Sequence, residues 1–143
     1  MSQELIDAVA ITLIKDASFM QFFGLDPSSP ADEVTSRIIK GLEPDTAFTS
    51  DTVPAVLMYV TPGRFARNHL VFEGKFSVEF YAKSNVEARL IGGRAFKLFH
   101  DSYISHKSFN TFRCHLAYDT DFATGITGVK GYKAIYDVDY VRK

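Results

Sequence analysis

Leu70-Val71-Phe72-Glu73-Gly74-Lys75-Phe76-Ser77-Val78-Glu79-Phe80-Tyr81-Ala82-Lys83 is the stretch on which the fold turns. Leu70, Phe72, Phe76, Val78, Phe80 and Ala82 alternate with Glu73, Lys75, Ser77, Glu79 and Lys83. Such a period of two predicts a β-strand with one face on a core and the other largely wet. Immediately after it, Ser84-Asn85-Val86-Glu87 reads as a capping box, in which the Ser hydroxyl and the Glu carboxylate satisfy free amides of a first helical turn. The helix so opened runs to about Phe99, with Ala88, Ile91, Ala95, Leu98 and Phe99 on one side. Gly92-Gly93 in its middle costs about 1 kcal/mol per Gly relative to Ala, which predicts close approach by the sheet beneath.

Working outward, Leu5, Val9 and Leu13 recur every four residues and predict a helix over residues 3–15. Asp16 caps a short helical turn with Phe19, Phe22 and Phe23 as its apolar contacts, and Gly24 stops it. Pro27 to Pro30 form a loop, residues 31–40 a short helix, and Gly41 to Asp51 a polar irregular stretch. Residues 53–60 read as a strand with Pro54 at its start, followed by turn chemistry at Thr61-Pro62-Gly63-Arg64. Two further strands, Phe112 to Tyr118 and Tyr132 to Val141, flank a loop holding Gly125, Gly128 and Gly131. The fold class expected is α+β: a four-stranded antiparallel, curved sheet of two hairpins, with two main helices packed on one face. Residues 1–143 form a single domain in this reading.

The 143 residues suffice for one well-buried core. Thirteen Phe and seven Tyr without Trp suit a sheet-rich interior. A net charge of −1 gives no global attraction to nucleic acid or anionic membrane. Cys114, the single cysteine, excludes an intrachain disulfide framework and a multi-cysteine zinc site. Acids near the N-terminus argue against a secretory leader, and no apolar run approaches the ~20 residues of a membrane span.

Chemistry is hard to place on this sequence. His69, His100, His106 and His115 show no i, i+4 metal spacing, and Cys114 alternates onto a buried face with no base to activate it. Gly125-x-x-Gly128-x-x-Gly131 precedes a strand, whereas a phosphate cradle needs a helix N-terminus. Asp119 with Asp121, and Asp137 with Asp139, share strand faces but have no third ligand. The expectation is a protein without catalytic, cofactor or metal residues.

Length is the more informative feature. Leu70 to Ala82, 13 residues, spans roughly 43 Å at ~3.3 Å per residue, long for a domain of this size. Part of the hairpin must project or curve. Its tip carries Arg64, Phe65, Arg67 and His69, and the other hairpin loop carries Phe122 and Ile126. These six residues are the candidate partner interface, since apolar loop tips point to protein contact. The alternative is that they fold back on their own core. Glu73, Lys75 and Glu79 share the wet face of the long strand.

The layout resembles the tail terminator, or tail completion, proteins of long-tailed bacteriophages. It is carried by Ala17-Ser18-Phe19-Met20-Gln21-Phe22-Phe23-Gly24 after the first helix, the Pro-started Val53-Pro54-Ala55-Val56, the run Phe76 to Ala88 with its Tyr81-Ala82-Lys83-Ser84-Asn85-x-Glu87-Ala88, and Thr124 to Tyr132 opening the last strand. The resemblance spans about residues 3–142. It implies a virion structural protein of the tail or neck, assembled in the host cytoplasm: a ring of six subunits that caps the tail tube, halts its growth and docks on the head-completion or connector protein. It implies no cofactor, no membrane, and DNA passing through the ring without sequence-specific binding. The face with Glu73, Lys75 and Glu79 would then be channel-facing. The segment from Pro27 to Asp51 is longer than a minimal version of this layout requires. Two alternatives remain open at this stage. One is another neck or connector ring component. The other is a small-ligand-binding α+β domain with Tyr118, Tyr132, Tyr136 and Tyr140 lining a pocket.

Overall fold

The computed structural model describes residues 2–44 and 47–142. Asp45 and Thr46, in the polar stretch Gly41–Asp51, lie outside the described residues. Helix α1 (Ser2–Ile14) is followed by α2 (Ala17–Gln21), α3 (Ala31–Arg37) and β1 (Ile38–Lys40). Then come β2 (Ala55–Phe65), β3 (Val71–Ala82), α4 (Asn85–Phe99), β4 (Phe109–Thr111), β5 (His115–Ala123) and β6 (Lys130–Arg142).

One sheet holds all six strands in the order β1-β2-β3-β6-β4, with β5 also pairing β6. β3 and β6 pair in register over their full length, from Val71↔Val141 to Ala82↔Lys130. β4 and β5 share the far edge of β6, one after the other.

The expected four-stranded antiparallel sheet is therefore corrected to a six-stranded mixed one. The two additional strands are short or oddly placed. β1 was expected as the end of a helix over 31–40. The helix stops at Arg37 instead, and Ile38-Ile39-Lys40, two of them β-branched, run parallel to Val56-Leu57-Met58. β4 pairs only three residues. β5 begins three residues later than expected and runs through Asp119-Thr120-Asp121, a poor strand sequence by propensity. Side-chain bonds outside the ladder offset that: Tyr132 donates to Asp119 at 2.7 Å, and Arg89 on α4 clamps Asp121.

The expected turn at Thr61–Arg64 is a β-bulge within β2, and the chain reverses over Ala66–Leu70. Gly63 allows this, because a Cβ there would stand 2.7 Å from the Phe72 ring and 2.8 Å from the Glu73 carbonyl.

The core lies on one face. Val56, Met58, Phe76, Val78, Phe80, Tyr136, Val138 and Tyr140 point toward α1, α2 and α4 and meet Leu5, Val9, Leu13, Phe19, Ile91 and Phe99. Stacked and edge-on rings, such as Phe76 with Tyr136 and Phe99, fill it. Ser84 caps α4 by accepting from the Glu87 amide at 3.1 Å. Gly92 faces the sheet, where a Cβ would stand 2.4 Å from the Tyr132 ring. Close approach is thus by an aromatic side chain, and Gly93 looks into open space.

Candidate assembly surface

The face of the sheet away from the helices divides in two. At the end where β2 begins, Phe48, Val53, Ala55, Leu57, Tyr81 and Val129 make a second small core. Phe48 and Val53 come from the chain before β2, and Val129 from the β5–β6 loop. Phe122 and Ile126 pack against it half-buried, with Phe122 edge-on to Tyr81 at 5.5 Å and pressed on Gly131. This hairpin loop is closed onto its own chain.

Toward the other end the same face is polar. Glu79 sits there with its side chain only 14% exposed. It accepts hydrogen bonds from the hydroxyls of Tyr59 and Tyr81, and the Lys133 ammonium lies 3.9 Å away. Burial first, then the Glu79 carboxylate, pushes both phenols above their ordinary range. Lys75 pairs with Asp137 at 2.9 Å and Arg64 with Glu73 at 3.0 Å. Asp139 lies directly across from Glu73; burial and then the Glu73 and Asp137 charges raise its pKa. Arg64, Lys75 and Lys133 thus oppose Glu73, Glu79, Asp137 and Asp139, a surface of mixed sign. It is drier than alternation alone implies, since Ser77 in its middle is fully buried.

Arg64, Phe65, Arg67 and His69 come together at the tip of the β2–β3 hairpin. Phe65 is 54% exposed, leaning edge-on against Phe72 at 5.1 Å, and Leu70 beside it is 71% exposed. Local bonds order the loop: Ala66 donates to the Val71 carbonyl at 2.9 Å, Val71 to that of Asn68 at 3.0 Å. Phe122 and Ile126 lie at the opposite end of the sheet, so the six candidate interface residues form two separate places. Tyr59 and Lys133 carry no signal in the sequence, where Asp137 stands out only as a carboxylate beside Asp139. Lys133 pairs across the strands with Glu79 and Tyr59 with Ser77, two residues before it on the same face, so only the strand register reveals them.

No known protein family matches the sequence, and no curated protein matches it either. By structure, the chain is similar to a chain in the virion of a native gene transfer agent (GTA) particle. The TM-score is 0.67 at 9% sequence identity, covering 99% of this chain and 96% of that one. At this identity the likeness is one of fold, and it runs end to end.

The other candidate groups have local partners. Asp119 and Asp121 are held by Tyr132 and Arg89. His100 accepts the Leu116 amide at 3.0 Å. Cys114 is buried, and desolvation pushes its thiol up to about 12. Among the described residues no three His, Cys, Asp or Glu side chains group to hold a metal ion, and no helix is long and apolar enough to cross a membrane. Tyr136 and Tyr140 belong to the core, Tyr132 lies under α4, and Tyr118 is 68% exposed on the opposite face. These four rings do not line one pocket.

Proposed function

We propose that this chain is a non-enzymatic structural protein of a virus particle, acting as a tail terminator. In this reading several copies, six by resemblance to that family, close a ring at the head-proximal end of a tail. The ring ends growth of the tail tube and joins it to the head connector. The observation that carries the proposal is the end-to-end likeness to a chain of a GTA virion, which leaves neither protein with an unmatched domain. It agrees with the tail-terminator layout read independently from the sequence.

The polar face supplies the physical counterpart. Affinity for DNA scales with the number of phosphates that cations neutralise. A lining in which Lys75, Arg64 and Lys133 are each engaged by a carboxylate offers few free cations, and DNA would slide past it. Glu73, Lys75 and Glu79 are the lumen residues in this proposal, with the helices outside. The aromatic-pocket reading loses support because its four tyrosines lie on both faces of the sheet. Mass spectrometry of separated tails and heads tests the proposal, with a gene deletion expected to leave tails of unregulated length and unjoined heads. A neck or connector component would instead copurify with heads.

A further inference from the structure

The two ends of the sheet differ in charge. At the β2–β3 tip, Arg67 and His69 are exposed beside Phe65 and Leu70, with no acid between Arg64 and Leu70. At the other end, α3 together with Pro44, Ala47, Phe48 and Thr52 encloses a cleft of about 440 Å³, with Asp32, Thr35 and Ile39 also in its lining. Asp32 lines it, and Glu33, Glu43 and Asp51 each stand next in sequence to a lining residue, Asp32, Pro44 and Thr52; all four acids are exposed and none takes part in an ion pair among the described residues. Of the two cations of that region, Lys40 is paired away from the cleft, and Arg37 keeps its charge at the cleft wall, so the acids outnumber the one cation left there. Arg37 donates to the carbonyls of Thr52 and Pro54, and Lys40 pairs with Asp7.

These two places cannot meet within one chain. Ile39 in the cleft pairs with Leu57, and the tip begins at Phe65, eight residues further along the same strand. That is about 26 Å of extended backbone, paired on one side with β3 and interrupted only by the bulge at Thr61–Arg64. A basic tip with two exposed apolar side chains and an acidic cleft with an apolar floor are complementary, and the tip's own backbone bonds order it in advance.

We propose that the tip of one copy, Phe65 and Leu70 flanked by Arg67, seats in the Asp32–Phe48 cleft of a second copy, so that copies join head to tail. Such a contact is heterologous: one end copy keeps a free tip and the other a free cleft until the series closes. The proposal rests on the assembly reading above and names the partner of its hairpin tip.

Sedimentation of the purified chain tests it with two variants altered only at exposed positions, Arg67→Glu and the double variant Glu43→Lys/Asp51→Lys. The wild-type chain is expected to associate with rising concentration at low salt, and to dissociate in roughly 1 M salt, where the screening length falls to about 3 Å. Each variant alone should associate at least tenfold more weakly, because it sets like charges against each other. An equal mixture should associate again, since each reversed surface then meets its opposite. Unchanged thermal midpoints establish that the variants are folded. The contact is overturned if the wild-type chain stays a single copy throughout, if the mixture fails to associate, or if only Arg67→Glu has an effect. The last result would put a different acidic surface of the second copy against the tip. A restored mixture for a protein absent from virus particles would leave this contact standing and remove the tail-terminator function; the reverse pattern would do the opposite.

Discussion

Arg94 grips Asp16 through two 2.7 Å hydrogen bonds, Nε to one carboxylate oxygen and Nη2 to the other, and so ties α4 to the start of α2. Asp16 is also the N-cap of α2, accepting the Phe19 amide at 2.8 Å. The Arg94 guanidinium, then the Phe19 amide, hold this carboxyl below its ordinary value of 3.8, against an opposing push from burial. A depressed folded-state value stabilises the protein above the unfolded value and is lost as pH falls through the folded one. Asp16→Ala should lose about 1 kcal/mol from the cap alone. Its stability, measured by denaturant titration, should fall less steeply than wild type below about pH 4.

Adjacent glycines on α4 should respond in opposite directions. A methyl at Gly92 would enter the Tyr132 ring, which is fixed by its bond to Asp119 and its stacking on Phe80. Gly92→Ala is expected to destabilise by about 1–3 kcal/mol through overpacking. Gly93 faces open space, so Gly93→Ala should stabilise by about 1 kcal/mol through helix propensity. Thermal melts of the two variants check the pair.

The phenols of Tyr59 and Tyr81 donate to one carboxylate, and burial followed by that charge raises both above the ordinary value of 10. The neutral phenol is therefore the folded form. Its stabilisation is present below pH 10 and is lost as pH rises past it. Ultraviolet titration should show these two rings ionising at higher pH than they do in the unfolded chain. Tyr81→Phe should cost about 1 kcal/mol, the net worth of one such bond.

Lys75 pairs with Asp137 on the polar face, both about half exposed. An exposed pair contributes at most about 1 kcal/mol, so Lys75→Glu should fold and assemble. If that face lines a DNA channel, the variant's particles should eject DNA with altered efficiency. Unchanged ejection would mean that the face is not the lumen.

The core face of β3, the α4 cap and the N-terminal helix were all legible, because each is a local periodicity or a local hydrogen bond. Leu5, Phe76, Phe80 and Ile91 lie where alternation and helical spacing put them. What escaped was decided by distant partners. Ile38 and Ile39 became a strand because Val56 to Met58 offered a free edge, and Asp119 to Asp121 became one because Tyr132 and Arg89 hold the acids. The surface was legible only in part. The tip residues Arg64 to His69 are contiguous in sequence, whereas the Tyr59–Glu79–Lys133 cluster requires the register of three strands. The acidic cleft opposite the tip requires the whole fold.

A position at the head-proximal end of a tail is best tested by quantitative mass spectrometry of purified, separated tails. A tail terminator should appear in tails at a few copies per particle, far below the tube protein, with antibody label confined to the head-proximal end. Absence from tails, or label distributed along the tube, would contradict the account.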